Sequence, residues 1–295
     1  MKKAGYNEIQ SELSRLKKEY GLFKRSAFFM IGYLLIIILI AVLVKNVYLI
    51  MVLLFAAVLV QVFLVRRFQK QYTRDFRLSN LRLTTARMLE TDEISEKSGG
   101  RVDAELTERA ELIPCSKEKD SFMAYMGMDG KYKGIPVCTA DVTFREDFRL
   151  VEKGRNRAHI NCGCWIHLDL AEENPYDFRI IHELAVPTPM LMNWMKERLQ
   201  LRQIPASEKE LSAEYYILSR RDELPGDGFF KSFRKLQEYT PGYCAVSVRG
   251  KSLDVFIRNR VLNRAVSITE GPDEKGLMLE AMPEIEKIRE MSSCL

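Results

Sequence analysis

Forty residues, Ser26 to Val65, run almost without charge, and they constrain this chain more than any other feature of it. The only cation in the run is Lys45, and the polar interruptions are Ser26, Asn46, Gln61 and the hydroxyls of Tyr33 and Tyr48. A helix rises about 1.5 Å per residue, so each half of the run reaches roughly 28 Å, close to the ~30 Å hydrocarbon core of a bilayer. Inside that core every backbone N–H and C=O needs an internal partner, which selects helix over open strand. Lys45-Asn46 divides the run near its middle. A charge is tolerated at an interface and costly at the bilayer centre, so the pattern predicts a hairpin of two spans, 26–44 and 47–65. The run is longer than the apolar core of a signal peptide and no small-residue cleavage site follows it. A core hairpin of a soluble protein would keep a polar stripe that this run lacks.

Charge predicts the orientation. Lys2, Lys3, Arg15, Lys17, Lys18, Lys24 and Arg25 precede the first span, and Arg66, Arg67, Lys70, Arg74 and Arg77 follow the second. Lys and Arg accumulate on cytoplasmic flanks, which puts both termini and the soluble part inside the cell and the turn outside. Lys24, Arg25, Arg66, Arg67 and Lys70 are the flanking cations nearest the apolar ends, where anionic headgroups lie.

The net charge of +5 is unevenly placed. Residues 1–77 hold 13 of the 45 basic residues and 4 of the 40 acidic ones, a net of +9, which leaves 32 against 36, a net of −4, for 78–295. A mildly acidic soluble part without a basic stripe argues against nucleic-acid binding. The six cysteines, Cys115, Cys138, Cys162, Cys164, Cys244 and Cys294, do not have the spacing of a disulfide framework and are expected to be reduced.

Along the chain, Ile9, Leu13, Leu16 and Tyr20 have helical spacing, so residues 1–25 read as an amphipathic segment leading into the first span. Phe68, Tyr72 and Phe76 carry the second helix to about Arg77; from there to Leu89 helix and strand are both open, and 66–90 reads as a juxtamembrane helix and linker. "ETDEISEKSGGRVD" reads as a boundary loop and "AELTERAEL" as a short helix ended by Pro114. The period then shifts toward two. "FMAYMGMDGKYKGIPVCTADVTF" reads as a hairpin turning at Asp129-Gly130. "RAHINCGCWIHLDL" and "YDFRIIHELAV" read as strands joined by the turn "AEENP". Helices are expected at Met190–Leu201 and Gly228–Tyr239, a hairpin about Arg249-Gly250-Lys251, and a last helix opening with Pro283 and burying Ile285, Ile288 and Met291. Strands and helices in separate runs give an α+β class for residues 91–295, packed as one domain.

Three stretches carry a resemblance. "GKYKGIPVCTADVTF", "HINCGCWIHLDL", and "EYYILSRRDELPGDGFFKSFRKLQEY" with "VSVRGKSLDVFIRN" resemble a family of uncharacterised bacterial membrane proteins, a domain of unknown function, in which a transmembrane hairpin precedes a cytoplasmic α+β domain. The likeness covers most of residues 90–270. It implies that architecture and a bacterial origin, and no catalytic residue.

The chemistry-bearing candidates are few. His159, Cys162, Cys164 and His167 form a zinc-compatible set by residue type. Strand alternation opposes it, placing the two thiols on the core face with Ile160, Ile166 and Leu168, and His159, His167 and Asp169 on the other, surface side. Pairing of the two strands across "AEENP" would bring His167 beside His182, with Asp169 or Glu183 near, as a general-base or metal site. "DELPGDGFF" lacks calcium-loop spacing and reads as a turn and helix start, with Asp227 near the N-terminus and Phe229, Phe230 and Phe233 in the core. No phosphate-binding loop, dinucleotide fingerprint or nucleophile elbow occurs. The sequence therefore favours a membrane-anchored cytoplasmic binding or scaffold module without a cofactor, working through a protein partner or as a homo-oligomer. A membrane-tethered hydrolase or metalloenzyme using His167 and His182 is the alternative, and an oligomeric pore subunit around Gln61 a third reading.

Overall fold

The computed structural model describes the chain except residues 1–4, 45, 116–119, 146–159, 183–191, 206–210, 212–214, 241–243, 259–261, 263–268 and 281. The chain forms two compact units, Met1–Thr84 with Ala265–Leu279, and Thr85–Arg264 with Glu280–Leu295.

The first unit is a helical hairpin. Helix α1, Tyr6–Val44, is unbroken over 39 residues, so the amphipathic segment and the first apolar run are one rod. Asn46 caps the next helix, its side chain accepting from the Leu49 N–H at 3.2 Å. That helix runs as α2 (Val47–Val60), a π turn at Gln61–Val65, α3 (Arg66–Leu81) and a second π turn at Arg82–Ala86. It therefore continues well past Arg77, and the stretch left open between helix and strand is helical as far as Ala86.

The two rods pack differently along their length. Over the apolar runs the side chains are exposed: 11% and 6% of the most apolar windows are buried. Toward the polar ends, Ile9, Leu13, Leu16 and Leu83 bury against Leu277, which follows from the spacing of those leucines on one helical face. Leu277 closes helix α6 (Glu274–Leu277), whose N-cap is Asp273. Asn80 holds this segment by donating to the carbonyls of Leu277 and Leu279, at 2.9 and 2.8 Å.

The second unit is α+β. Its described strands form one antiparallel sheet in the order β1-β2-β3-β4-β9-β8-β5-β7-β6. Their spans are Ile94–Ser95, Phe122–Tyr132, Ile135–Arg145, Ile160–Asp169, Asp177–His182, Arg202–Ile204, Tyr215–Ser219, Cys244–Arg249 and Ser252–Ile257, numbered β1 to β9. One face is covered by α4 (Ala104–Arg109), the segment after it and the π turn Trp194–Arg198, enclosing Val142, Phe144, Trp165, Ile181, Ala245 and Phe256. On the other face Phe178 meets Phe229 of α5 (Asp227–Tyr239) edge to face, with ring centroids 5.4 Å apart. Helix α7, Glu284–Ser292, packs with α5 and buries Ile285, Ile288 and Met291 as their spacing predicts. Phe229, Phe230 and Phe233 are core, and the 249–251 hairpin forms as expected.

Several local expectations are corrected. Asp129-Gly130 is not a turn; β2 runs through it, and the hairpin turns at Lys133-Gly134, with φ of +49° and +86°. Two left-handed residues match the twist of paired strands, which suits a two-residue connection. Gly130 serves contact instead: a Cβ there would collide with the Leu89 carbonyl oxygen, to which the Lys131 N–H donates at 2.7 Å. Helix α4 ends at Arg109 rather than at Pro114, because Glu111 turns left-handed with φ +49°. Strands β4 and β5 do not pair across "AEENP"; β9 and β8 lie between them. Of the expected helix over 190–201, the described part is a short turn ending in the π segment.

Candidate functional site

Because the sheet is covered on both sides, β4 buries both of its faces. Cys164, Trp165, Ile166 and Leu168 are inaccessible, His167 is only 6% exposed, and Ile160, expected in the core, is 64% exposed at the strand's end. His167 is thus not a surface histidine. It lies on the face of Trp165, in a cross-strand row fixed by register: Cys138, His167, Asp254, Ser247 and Arg179 on β3, β4, β9, β8 and β5.

The centre of this row is a carboxylate–imidazole network. His167 Nδ1 lies 2.9 Å from Asp254 Oδ1, and Nε2 lies 3.1 Å from Asp169 Oδ1. The Trp165 indole N–H donates to the same Asp254 oxygen at 3.0 Å. Arg101 donates to Asp169 Oδ2 at 2.8 Å, and its backbone N–H reaches Asp129. Burial by itself would lower the His167 pKa, but hydrogen bonding and charge from Asp254, then Asp169, outweigh it and hold the value above the ordinary one. Burial raises Asp169, yet the Arg101 and His167 contacts win and the net shift is downward. Burial lifts Asp129.

With a carboxylate at each ring nitrogen, the satisfied state is an imidazolium donating twice. Such a group carries no lone pair directed at a substrate or metal. Cys138 is its cross-strand neighbour, but that thiol is pushed far up by burial and the imidazole nitrogens are engaged elsewhere, so no thiolate–imidazolium pair is set up.

His182 is also buried, at 6% exposure, and its ring stacks edge to face on Tyr215 with centroids 4.7 Å apart. It shares a face with Phe178 and Ile180, opposite to that of Arg179 and therefore opposite to that of His167. Two strands intervene, a lateral separation of roughly 14 Å. The structure does not bring the two histidines together. Of the zinc-compatible string, His159 lies outside the described residues. Cys162 and Cys164 share a face and meet Thr143 and Thr139 at 3.5 and 3.4 Å, while His167 is on the reverse side. Among the described residues no group of three His, Cys, Asp or Glu has a metal-holding arrangement.

The same row ends in an ion cluster that the sequence did not reveal. Arg179, fully buried, donates to Asp177 (2.8 Å), to Glu111 (2.9 Å) and to the carbonyls of Phe178, Val248 and Glu111. Arg220 and Arg249 also pair with Glu111, at 2.8 and 3.1 Å. Ser247 donates to the Ala110 carbonyl at 2.6 Å. These bonds pin the segment after α4 onto the sheet. Their signal was register, which sequence periodicity carries only within a strand.

In the first unit the flanking cations Lys24, Arg25, Arg66, Arg67 and Lys70 are all exposed. Lys24 lies over the Phe28 ring, 5.9 Å from its centroid. Arg66 and Lys70 line a groove of about 340 Å³ with Gln69, Thr73, Arg74 and Arg77; Lys24, Arg25 and Arg67 do not. Between α1 and α3, burial and then the Asp75 charge lift the Glu19 carboxyl to about 7, against the opposing pull of Arg15. Compared with known proteins, the chain matches no family model, no curated protein and no solved structure.

Proposed function

We propose that this chain is a membrane-anchored binding or scaffold module whose α+β domain lies in the cytoplasm and acts through protein partners. The observation that carries the reading is the exposure of two long apolar helical runs, joined in sequence to a folded domain whose best candidate site is closed on itself. Side chains of that length and polarity left uncovered demand a lipid or protein environment. Twelve Lys and Arg flank the two runs within residues 1–77 against Lys45 alone in the turn, which supports an inside location for both flanks. The His167 network, with each ring nitrogen on a protein carboxylate, has the character of a structural pin, which favours binding over acid–base chemistry. The test is purification of the full-length protein from its own membranes in mild detergent. A stoichiometric protein companion, lost when the α+β domain is deleted, is the expected result. A protein that emerges alone, with a hydrolytic activity abolished by His167→Gln, would overturn the reading.

A further inference from the structure

Of the five basic residues from Arg66 to Arg77, four line one side of their helix and Arg67 lies outside it. Arg66, Gln69, Lys70, Thr73, Arg74 and Arg77 recur every three or four positions and line one groove. Four of the six are cations and none is a carboxylate. The reverse face of the same stretch is taken up by packing: Val65, Tyr72 and Ser79 are buried, and Tyr72 meets Tyr20 of α1 with ring centroids 5.3 Å apart. The helix has therefore sorted its aromatic side toward α1 and its cationic side away from it.

Depth supplies the second argument, and it rests on the proposal that Val47–Val65 spans the bilayer. Arg66 directly follows the apolar run, and Lys70 lies about 6 Å further along the axis, with Arg74 and Arg77 about 12 and 16 Å out. The polar layer on each side of a bilayer is roughly 5–8 Å thick, so Arg66 and Lys70 fall within it. Side chains on a helix lean toward its N-terminus, which here is the membrane side, so Arg74 and Arg77 lean back toward the headgroups. Guanidinium and ammonium donors, an amide and a hydroxyl together suit the oxygens of a phosphate.

We infer that this groove on α3 binds the headgroup phosphate of an anionic phospholipid, as a built site and not as part of a diffuse positive flank. Full-length protein in neutral detergent would be titrated with phosphatidylglycerol, phosphatidylcholine or inorganic phosphate, and bound adducts measured by native mass spectrometry. Phosphatidylglycerol should be retained in preference to phosphatidylcholine. The double variant Arg66→Ala/Lys70→Ala should weaken that binding by about a hundred-fold, at about ten-fold per charge-assisted hydrogen bond lost. The pair Lys24→Ala/Arg25→Ala, which flanks the membrane outside the groove, should leave it close to the original. Equal loss in both pairs would reduce the site to diffuse attraction and overturn the proposal. Displacement of the lipid by equimolar inorganic phosphate would overturn it in favour of a soluble anion. Alkaline washing of membranes tests the anchoring separately. A protein retained in the washed membranes without a lipid preference sinks the groove alone; one that is released sinks the anchor and the groove with it.

Discussion

At His167 two carboxylates face one imidazole, and the pKa directions fix the pH at which the arrangement stabilises the fold. The histidine, ordinarily near 6.5, is raised, so its contribution is complete below about that pH and is lost as pH rises through the higher folded-state value. Asp169, ordinarily near 3.8, is lowered, so its contribution is present above that value and is lost as pH falls through the lower one. The network therefore supports the fold most between about pH 4 and 6.5. Denaturation midpoints of the full-length protein in detergent should fall from pH 6 to 9. His167→Gln should be less stable at pH 6 and should flatten that dependence. An unchanged slope in the variant would show that the imidazole is not held as a cation. Glu19 makes a second titration of the same sign. A carboxyl whose folded value is lifted to about 7 weakens the α1–α3 contact as pH rises from about 4.5 to 7. Glu19→Gln should remove that loss, read as the pH dependence of thermal melting of the hairpin. Arg15 and Glu12 on α1 and Asp75 on α3 share the site, so the titration belongs to the group.

Among the elements, the β2–β3 hairpin shows two glycines with different duties. Gly134 has φ +86° and open space where a Cβ would go, so Gly134→Ala meets only backbone strain, about 1 kcal/mol. Gly130 has an ordinary strand conformation but abuts the Leu89 carbonyl, so Gly130→Ala must displace backbone, at about 3 kcal/mol or more. Chemical denaturation of the two variants should rank them in that order; the reverse ranking would restore the turn to Asp129-Gly130. The dipeptide Asp129-Gly130 is a turn signal by composition, and nothing local distinguishes it from Lys133-Gly134. The distinction is made by Leu89, forty residues upstream, whose carbonyl occupies the space that glycine leaves.

For the whole molecule, the readable property is sidedness. Cys294 is exposed, whereas Cys138, Cys164 and Cys244 are buried. If the α+β domain is cytoplasmic, a membrane-impermeant maleimide should leave Cys294 unlabelled in intact cells and label it after lysis. Labelling of intact cells would invert the topology and take the proposed partners with it. The variant Cys294→Ser identifies the signal as coming from that residue.

The two helical rods, the α5 and α7 helices and the 249–251 hairpin were legible in the residues because each is decided locally. A long uncharged run, an apolar spacing of three or four, and an Arg-Gly-Lys turn between alternating strands bias the backbone without help from distant chain. The sheet order was not legible. β4 and β5 are consecutive and joined by turn residues, yet they do not pair with each other but with β9 and β8, strands contributed from more than sixty residues downstream. That exchange parts His167 from His182, sets the first against Asp254, and buries both faces of a strand whose alternation had suggested one wet side. Side-chain periodicity within a strand says which residues share a face, not what covers that face or which strand lies alongside. Those are settled only when the layers pack, and in this protein the contents of the candidate site followed from that packing.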